Sequence, residues 1–271
     1  MSDSSQANAS FAAQLRAGAP LVGTVLSSPD PVLAERAAQA FDFAWIDLEH
    51  SALSVRDALV LAVALRAGGA ASLVRLPRFD SELLTAVLDT GVDGVVAPKV
   101  SCAADAAALV RSLRYPPAGS RGFAPRRASG GQAAAGAGLR SDVACIVQIE
   151  TRAALAELDA IAATEGLDGL VVGLADLSLE LGCPLDMEAD ALADAARSVG
   201  ETAARNGVPW GLAAGTLPPW VSASWQAGGD MFVFSSDLRL YAETVDVAAR
   251  RLRRLREEAV TASTNEPGVP T

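Results

Sequence analysis

Short apolar runs alternate with longer helical patterns along the whole of this 271-residue chain, and this alternation limits the fold more than any other feature. Eight of the runs have the length and apolar content of buried strands. They lie at residues 22–25, 44–48, 72–76, 94–98, 144–149, 169–173, 209–213 and 231–235. Strands that are apolar on both faces and separated by helices are typical of a parallel sheet covered by helices. The sequence therefore predicts an α/β fold.

Eight strand–helix units are the number that closes a (β/α)8 barrel of the TIM type, which is the architecture we expect. An open doubly wound sheet is the alternative, but no G-x-G-x-x-G motif opens a helix near the N-terminus. No shift in composition marks a second domain, so residues 11–257 are predicted to form one barrel. Residues 1–10 and 258–271 are predicted to be disordered, and residues 129–138 to form a flexible loop.

Composition narrows the range of functions. The chain has 22 Lys and Arg residues against 32 Asp and Glu residues, a net charge of −10, which argues against general binding to nucleic acid or anionic membranes. No stretch reaches the roughly 18 apolar residues of a membrane span. The first ten residues lack the pattern of a secretion signal. We expect a soluble, cytoplasmic protein whose partner is a small-molecule substrate.

Polar side chains accompany five successive predicted strands at their carboxyl ends, where the active sites of such barrels lie. They are Asp47, Glu49 and His50 at the end of the second strand, Arg75 in the third, Lys99 after the fourth, Gln148 and Glu150 at the end of the fifth, and Asp176 after the sixth. His50 is the only histidine and Lys99 the only lysine. Mechanisms that need two histidines, or a lysine other than Lys99, are therefore excluded.

Glu150 and Asp176 are candidate ligands of a divalent cation. Two carboxylates on adjacent strands, with the amide of Gln148 nearby, make an oxygen-rich set that suits Mg²⁺ or Mn²⁺ better than structural zinc. Two protein ligands would leave coordination positions for water and a chelating substrate. The alternative is that each carboxylate only caps the helix that follows it.

Three further side chains each have a catalytic and a structural interpretation. His50 can exchange protons near neutral pH, with Asp47 as the carboxylate that orients it, or it is a structural residue. Arg75 lies in an apolar run, so it either pairs with a buried carboxylate or stabilises the oxyanion of an enolate. Lys99 could form a Schiff base with a keto substrate, or it is a charge at the barrel rim. Backbone N–H groups of segment 173–178 could bind a substrate carboxylate.

Six ordered segments resemble the HpcH/HpaI aldolase family, the metal-dependent pyruvate aldolases that share an architecture with the citrate lyase β subunit. The segments are FDFAWIDLEH at 41–50, VRLP at 74–77, LDTG at 88–91, RYPPAGSRG at 114–122, QIET at 148–151 and GLADLS at 173–178. The resemblance covers nearly the whole chain. It implies a TIM-barrel aldolase that depends on a divalent metal, Mg²⁺, Mn²⁺ or Co²⁺.

The resemblance also implies how metal and substrate are bound. Glu150 and Asp176 would coordinate the metal, and pyruvate would chelate it through its carboxylate and keto oxygens. The backbone at Leu174 and Ala175 would bind the pyruvate carboxylate. Gln148 would contact the metal or one of its ligands.

The proton chemistry and the assembly follow from the same resemblance. Arg75 would stabilise the enolate oxygen, and His50, oriented by Asp47, would move the proton of the aldol hydroxyl. Asp89 would lie near the substrate site of a neighbouring subunit. The implied assembly is a homohexamer, a trimer of dimers that exchange their C-terminal helices.

The leading hypothesis is a class II aldolase, a carbon–carbon lyase that reversibly cleaves a 4-hydroxy-2-oxo acid into pyruvate and an aldehyde. The chain departs from the family at Leu48, where Gly is usual, and at Leu174, where Pro is common. The segment around Lys99 is closer to the citrate lyase β branch. A lyase or synthase that uses the same enolate with a CoA thioester or an oxaloacetate-derived partner is an alternative. A Lys99 Schiff-base aldolase and a noncatalytic barrel that binds a keto acid are the others.

Overall fold

The computed structural model describes residues 9–18, 20–123 and 142–264, with the backbone alone for residues 260–264. The loop predicted at 129–138 and residues 1–8 of the segment predicted to be disordered lie outside the described residues. Ser10 caps the first helix, because its hydroxyl accepts a hydrogen bond of 3.3 Å from the N–H of Ala13. The end of the predicted disordered segment therefore takes part in a helix cap.

Eight parallel strands close into a barrel in which each strand pairs with the next along the chain and the last pairs with the first. They are β1 (Leu21–Leu26), β2 (Phe43–Asp47), β3 (Ala71–Arg75), β4 (Gly94–Ala97), β5 (Ala144–Ile149), β6 (Gly169–Gly173), β7 (Trp210–Ala214) and β8 (Met231–Ser236). The predicted single (β/α)8 barrel is confirmed. The strand positions agree with the apolar runs because every strand is buried on both faces.

Helices surround the barrel and follow the strands in order. In the described chain they are α1 (Phe11–Arg16), α2 (Pro31–Ala38), α3 (Val55–Gly68), α4 (Ser81–Asp89), α5 (Ala103–Leu113), α6 (Arg152–Ala156), α7 (Leu158–Ala162), α8 (Leu174–Leu181), α9 (Asp190–Asn206), α10 (Pro219–Gln226) and α11 (Asp237–Thr264). Within the described chain, no helix is both long enough and apolar enough to cross a bilayer. The cytoplasmic location stays a prediction.

The C-terminal tail differs from the sequence-based expectation. Helix α11 continues to Thr264, so the prediction of disorder from residue 258 is wrong for residues 258–264. An ion pair between residues four apart stabilises the start of this extension, since Nε of Arg254 lies 2.8 Å from Oε1 of Glu258. Residues 265–271 lie outside the described residues.

The alternation of side chains along each strand positions the site. Phe43 and Trp45 of β2 and Ile146 of β5 belong to the apolar cluster that fills the barrel, and every second residue points the same way. The next inward positions along those strands are Asp47 and Gln148, at the carboxyl end. The amino end is closed by α1, whose apolar residues belong to the same interior cluster. The barrel therefore has an apolar interior and one polar rim.

Candidate active site

Asp47 and Arg75 form a buried ion pair at the rim. They are the last residues of two adjacent strands and face each other in register. Nε and Nη2 of Arg75 donate hydrogen bonds of 3.0 and 2.7 Å to the two carboxylate oxygens. Burial raises the pKa of Asp47, but the hydrogen bonds and charge of Arg75 outweigh it and bring the pKa below its usual value. Asp47 is thus a permanent anion that holds the guanidinium in place.

Glu49 connects the remaining charged groups of this side of the rim. Its side chain is buried, and its carboxylate lies 3.2 Å from Nζ of Lys99, 3.5 Å from Nε of Arg75 and 3.6 Å from Nε2 of His50. The imidazole itself is more than half exposed at the mouth of the barrel. Asp47 does not contact the imidazole: its Oδ1 accepts a hydrogen bond of 3.3 Å from the backbone N–H of His50. The carboxylate beside the imidazole is therefore Glu49, whereas Asp47 was the expected orienting group.

Glu150 follows β5 and is almost completely buried, with 1% of its surface exposed. One carboxylate oxygen accepts the backbone N–H of Lys99 at 2.7 Å, and the other accepts the Gln148 amide at 2.6 Å. The pKa of Glu150 is raised to about 7, chiefly by burial and further by the charges of Asp176 and Glu49, although the Lys99 N–H and the charge of Arg75 lower it. Glu150 is therefore a carboxylate that lacks a compensating cation.

Lys99 contacts the buried carboxylate of Glu150 through its backbone N–H, whereas its amine lies near the surface. Its φ of 56° lies in the left-handed region, which is strained for a residue with a side chain, and its N–H is the donor to Glu150. The amine is 61% exposed, and a hydrogen bond to Glu49 together with the charge of that carboxylate raises its pKa. A lysine that forms a Schiff base needs a lowered pKa. This geometry argues against the Schiff-base alternative.

Gly173 ends β6 and leaves room for the carboxylate. A Cβ at this position would lie 2.4 Å from Nε2 of Gln148 and 2.8 Å from Oε2 of Glu150, so a side chain here would displace both groups. Gly173 is also the N-cap of α8 and provides no side-chain cap. The first turn of α8 contains Leu174, Ala175 and Asp176, and its N–H groups lie at the positive end of the helix dipole. They are suited to bind a carboxylate.

The residues around Glu150 fit a hard cation. Asp176 is close enough for its charge to act on Glu150, so the two predicted ligands lie at one place. Gln148 is 2% exposed, and its Oε1 is a buried acceptor without a hydrogen-bond donor in the described chain. Oxygen ligands of this kind suit Mg²⁺ or Mn²⁺. No group of three or more His, Cys, Asp or Glu side chains in the described residues could hold a metal, so water or substrate would complete the coordination.

Asp89 is the one predicted site residue that lies elsewhere. It is the last residue of α4, and in this fold the helices end at the amino ends of the strands. Glu150 and Asp176 lie at the opposite end of the barrel. The structure therefore does not bring Asp89 to the site of its own chain, and its predicted role requires a neighbouring subunit.

Sequence reasoning placed Glu49 at the rim without giving it a role, and it did not include the spatial role of Gly173. The position of Glu49, two residues after Asp47 at the end of β2, is the signal that could have given it a role. The requirement for Gly173 depends on Gln148 at the end of β5 and Glu150 just after it, whose side chains reach the neighbouring strand β6. Such a contact between strands has no local signal in the sequence.

Comparisons with known proteins agree with this geometry. Residues 23–213 match the family HpcH/HpaI aldolase/citrate lyase. A hydroxypyruvate/pyruvate aldolase of Deinococcus radiodurans is 40% identical over 212 residues, which cover 76% of this chain and 75% of the relative. An HpcH/HpaI aldolase/citrate lyase family protein from Burkholderia cenocepacia is 31% identical, with a TM-score of 0.82 over 90% of this chain and 98% of the other. Citrate synthase SbnG is 26% identical, with a TM-score of 0.81 over 92% and 99%. This chain is a member of the HpcH/HpaI aldolase/citrate lyase family.

Proposed function

We propose that this protein reversibly cleaves a 4-hydroxy-2-oxo acid into pyruvate and an aldehyde, with a divalent cation held by Glu150 and Asp176. The observation that carries the proposal is the buried carboxylate of Glu150, whose pKa is raised to about 7 beside a second carboxylate and an unpartnered amide oxygen. Aldolases of this family depend on a divalent metal. Mg²⁺, Mn²⁺ and Co²⁺ are the candidates.

A divalent cation held by Glu150 and Asp176 would supply Lewis acidity towards the oxygens of a keto acid. The protein supplies position and fixed charge. The N–H groups of Leu174 and Ala175, in the uncapped first turn of α8, bind the substrate carboxylate. Arg75 is held by Asp47 and presents a preorganised positive charge to the oxygen on which negative charge develops.

His50 takes the proton from the C4 hydroxyl during cleavage and returns it during synthesis. Its imidazole is exposed at the mouth of the barrel, where an aldehyde can leave, and Glu49 lies 3.6 Å from Nε2. Glu49 is therefore the carboxylate placed to orient the imidazole.

The test is exchange of the pyruvate methyl protons in deuterated water, followed by proton NMR. We expect exchange with added Mg²⁺ or Mn²⁺, none after chelation, and a loss of at least 100-fold in Glu150→Gln. Glu157→Gln, which removes a negative charge from the exposed helical layer, is the control. Exchange that survives complete chelation would contradict the proposal. Binding of pyruvate without any exchange would favour the noncatalytic barrel.

A second candidate is a lyase or synthase that joins the same enolate to another electrophile. The structural similarity to citrate synthase SbnG supports this second candidate. Assays with oxaloacetate and with an acyl-CoA separate the two, because a simple aldolase does not consume a thioester. Thioester turnover faster than cleavage of a 4-hydroxy-2-oxo acid would favour this candidate.

We also propose the homohexamer of three helix-exchanged dimers. Helix α11 has 28 residues and exposes large apolar side chains, among them Leu238, Tyr241 and Leu252. A cavity of about 630 Å³ beside β1, β8 and α10 is lined by Phe41, Trp225 and other apolar residues, and it suits such a helix. Light scattering after size exclusion is expected to give six times the chain mass of 27.7 kDa. A monomer would contradict this assembly.

A further inference from the structure

Lys99 departs from the alternation of the strand that precedes it. Val95 and Ala97 of β4 belong to the apolar layer between the strands and the helices, so a continued strand would place Lys99, two residues later, in the same layer. Val100 takes that place instead and is 4% exposed, whereas the Lys99 side chain lies at the rim. The left-handed φ of 56° at Lys99 is the backbone turn that exchanges the two positions.

This turn brings two groups of Lys99 to two different carboxylates. The backbone N–H donates a hydrogen bond of 2.7 Å to Oε1 of Glu150, and Nζ lies 3.2 Å from Oε1 of Glu49. Glu150 follows β5, the neighbour of β4, whereas Glu49 follows β2, and β3 lies between β2 and β4. The side chain of Lys99 therefore spans the end of β3 to reach Glu49, and one residue connects two sides of the rim.

A lysine in this backbone conformation needs a reason, because glycine adopts it without strain and would offer the same N–H to Glu150. What the lysine adds is the amine at Glu49. The Glu49 side chain is buried, and Arg75, a second cation 3.5 Å from it, already pairs with Asp47 at 2.7 Å. The amine therefore compensates the charge of Glu49 and fixes the carboxylate, which lies 3.6 Å from Nε2 of His50.

We propose that Lys99 is a positioning residue for the proton transfer at His50: its amine holds Glu49 beside the imidazole while its backbone N–H holds Glu150. This inference rests on the proposed function for its reaction. Lys99 touches none of the reacting atoms and acts on the proton only through Glu49. One residue thus sets the position of the group that moves the proton relative to the carboxylate that would hold the cation.

The test begins with Lys99→Met, which removes the amine and keeps the N–H. With 4-hydroxy-2-oxovalerate and Mg²⁺, kcat for pyruvate release is expected to fall about tenfold and KM to change less than about twofold. Kd for Mg²⁺ by calorimetry should change less than about threefold, because the hydrogen bond to Glu150 remains. Lys99→Arg restores a cation and should bring kcat back to within about threefold of the wild type. Arg36→Met, which removes a positive charge from the exposed surface of α2, is the control.

A double substitution shows whether the amine acts through Glu49. In a Glu49→Gln background, Lys99→Met is expected to lower kcat less than about twofold further, because the carboxylate that the amine holds is gone. A further tenfold loss in the double variant would overturn the positioning role. Wild-type kcat in Lys99→Met, from a wild-type protein that exchanges the pyruvate protons, would also overturn it and leave the proposed function intact.

Urea unfolding provides a readout that needs no turnover. Lys99→Met is expected to lower the unfolding midpoint in the wild-type background and to leave it unchanged in Glu49→Gln, and equal shifts in both would overturn the hold on Glu49. Lys99→Gly should unfold at a higher urea concentration than Lys99→Met, because glycine takes the left-handed backbone without strain. If the wild-type protein shows no pyruvate exchange but the difference between backgrounds remains, the proposed reaction fails and the hold of Lys99 on Glu49 stands.

Discussion

Replacing Glu150 with Gln tests the electrostatic argument for the cation site without an activity assay. The variant keeps the size and one acceptor oxygen of the side chain, so the bond from the Lys99 N–H can persist. The amide of Gln148 can turn its unpartnered oxygen towards the new N–H groups. What the substitution removes is a buried charge.

The magnitude follows from the pKa of Glu150, which rises from 4.5 in the unfolded chain to about 7 in the folded protein, chiefly because of burial. Each pKa unit corresponds to about 1.4 kcal/mol. Because the folded-state pKa is the higher one, the contribution to stability is complete below about pH 4.5 and is lost as the pH rises through about 7. Without a metal, the wild type should therefore lose about 3 kcal/mol relative to Glu150→Gln across this range.

Urea unfolding of both proteins, in a chelating buffer at several pH values from about 5 to about 8, measures this difference. Other titrating groups act equally on both proteins, so the difference between the two free energies of unfolding isolates Glu150. Mg²⁺ at about 100 times its Kd should then restore about 2.7 kcal/mol to the wild type and nothing to the variant. Glu157→Gln controls for the loss of one negative charge from the surface.

Parallel stability curves for the wild type and Glu150→Gln over this pH range would refute the reasoning. They would mean that the buried carboxylate is already compensated in the folded protein. Stabilisation of both proteins by Mg²⁺ to the same extent would locate the cation elsewhere.

Further predictions concern the rim and the closed end of the barrel. Gly173→Ala should weaken Mg²⁺ binding at least tenfold by titration calorimetry, because the new methyl group would displace the Gln148 amide. Gly169→Ala is the control: it lies at the other end of β6, where a Cβ has its nearest neighbour at 3.6 Å, and it should leave Mg²⁺ binding unchanged. His50→Gln should lower kcat for cleavage about 100-fold, whereas an unchanged kcat would assign the proton transfer to another group. Log Kd for Mg²⁺ should rise about one unit per pH unit below about 7, and a flat dependence would exclude a carboxyl ligand that titrates there. Asp168→Ala should cost about 3 kcal/mol in urea unfolding, because it leaves two arginines and a buried N–H without their acceptor.

Much of the barrel could be predicted from the sequence because its strands are buried on both faces. A strand such as β5 (Ala144–Ile149) then appears as an uninterrupted apolar run, and its boundaries are visible without any contact information. Helix α1 gave no such signal, because six residues are too few to establish a helical period. The end of α11 was missed because composition alone does not reveal ion pairs between residues four apart.

The sequence predicts those site residues whose positions are determined by the ends of the strands. Asp47, Arg75 and Gln148 are inward positions at the ends of strands, and strand pairing brings them to one rim. The contacts of Glu49 with Lys99 and His50 were not predictable, because they depend on how the segments after β2 and β4 turn. The same limit applies to the orienting role first given to Asp47, since Arg75 occupies both of its oxygens.

The charges at the rim favour the divalent cation that we propose there. Asp47 is neutralised by Arg75, and Glu49 is neutralised by Lys99, at 2.7 and 3.2 Å. The carboxylates left over are Glu150 and Asp176, which repel each other and leave two negative charges beside a buried amide oxygen. A monovalent cation would neutralise half of this charge, whereas a divalent ion neutralises all of it. Lys99 contributes to this balance, because without its amine Glu49 would keep only Arg75, at 3.5 Å, as a permanent cation beside it, and Arg75 already pairs with Asp47.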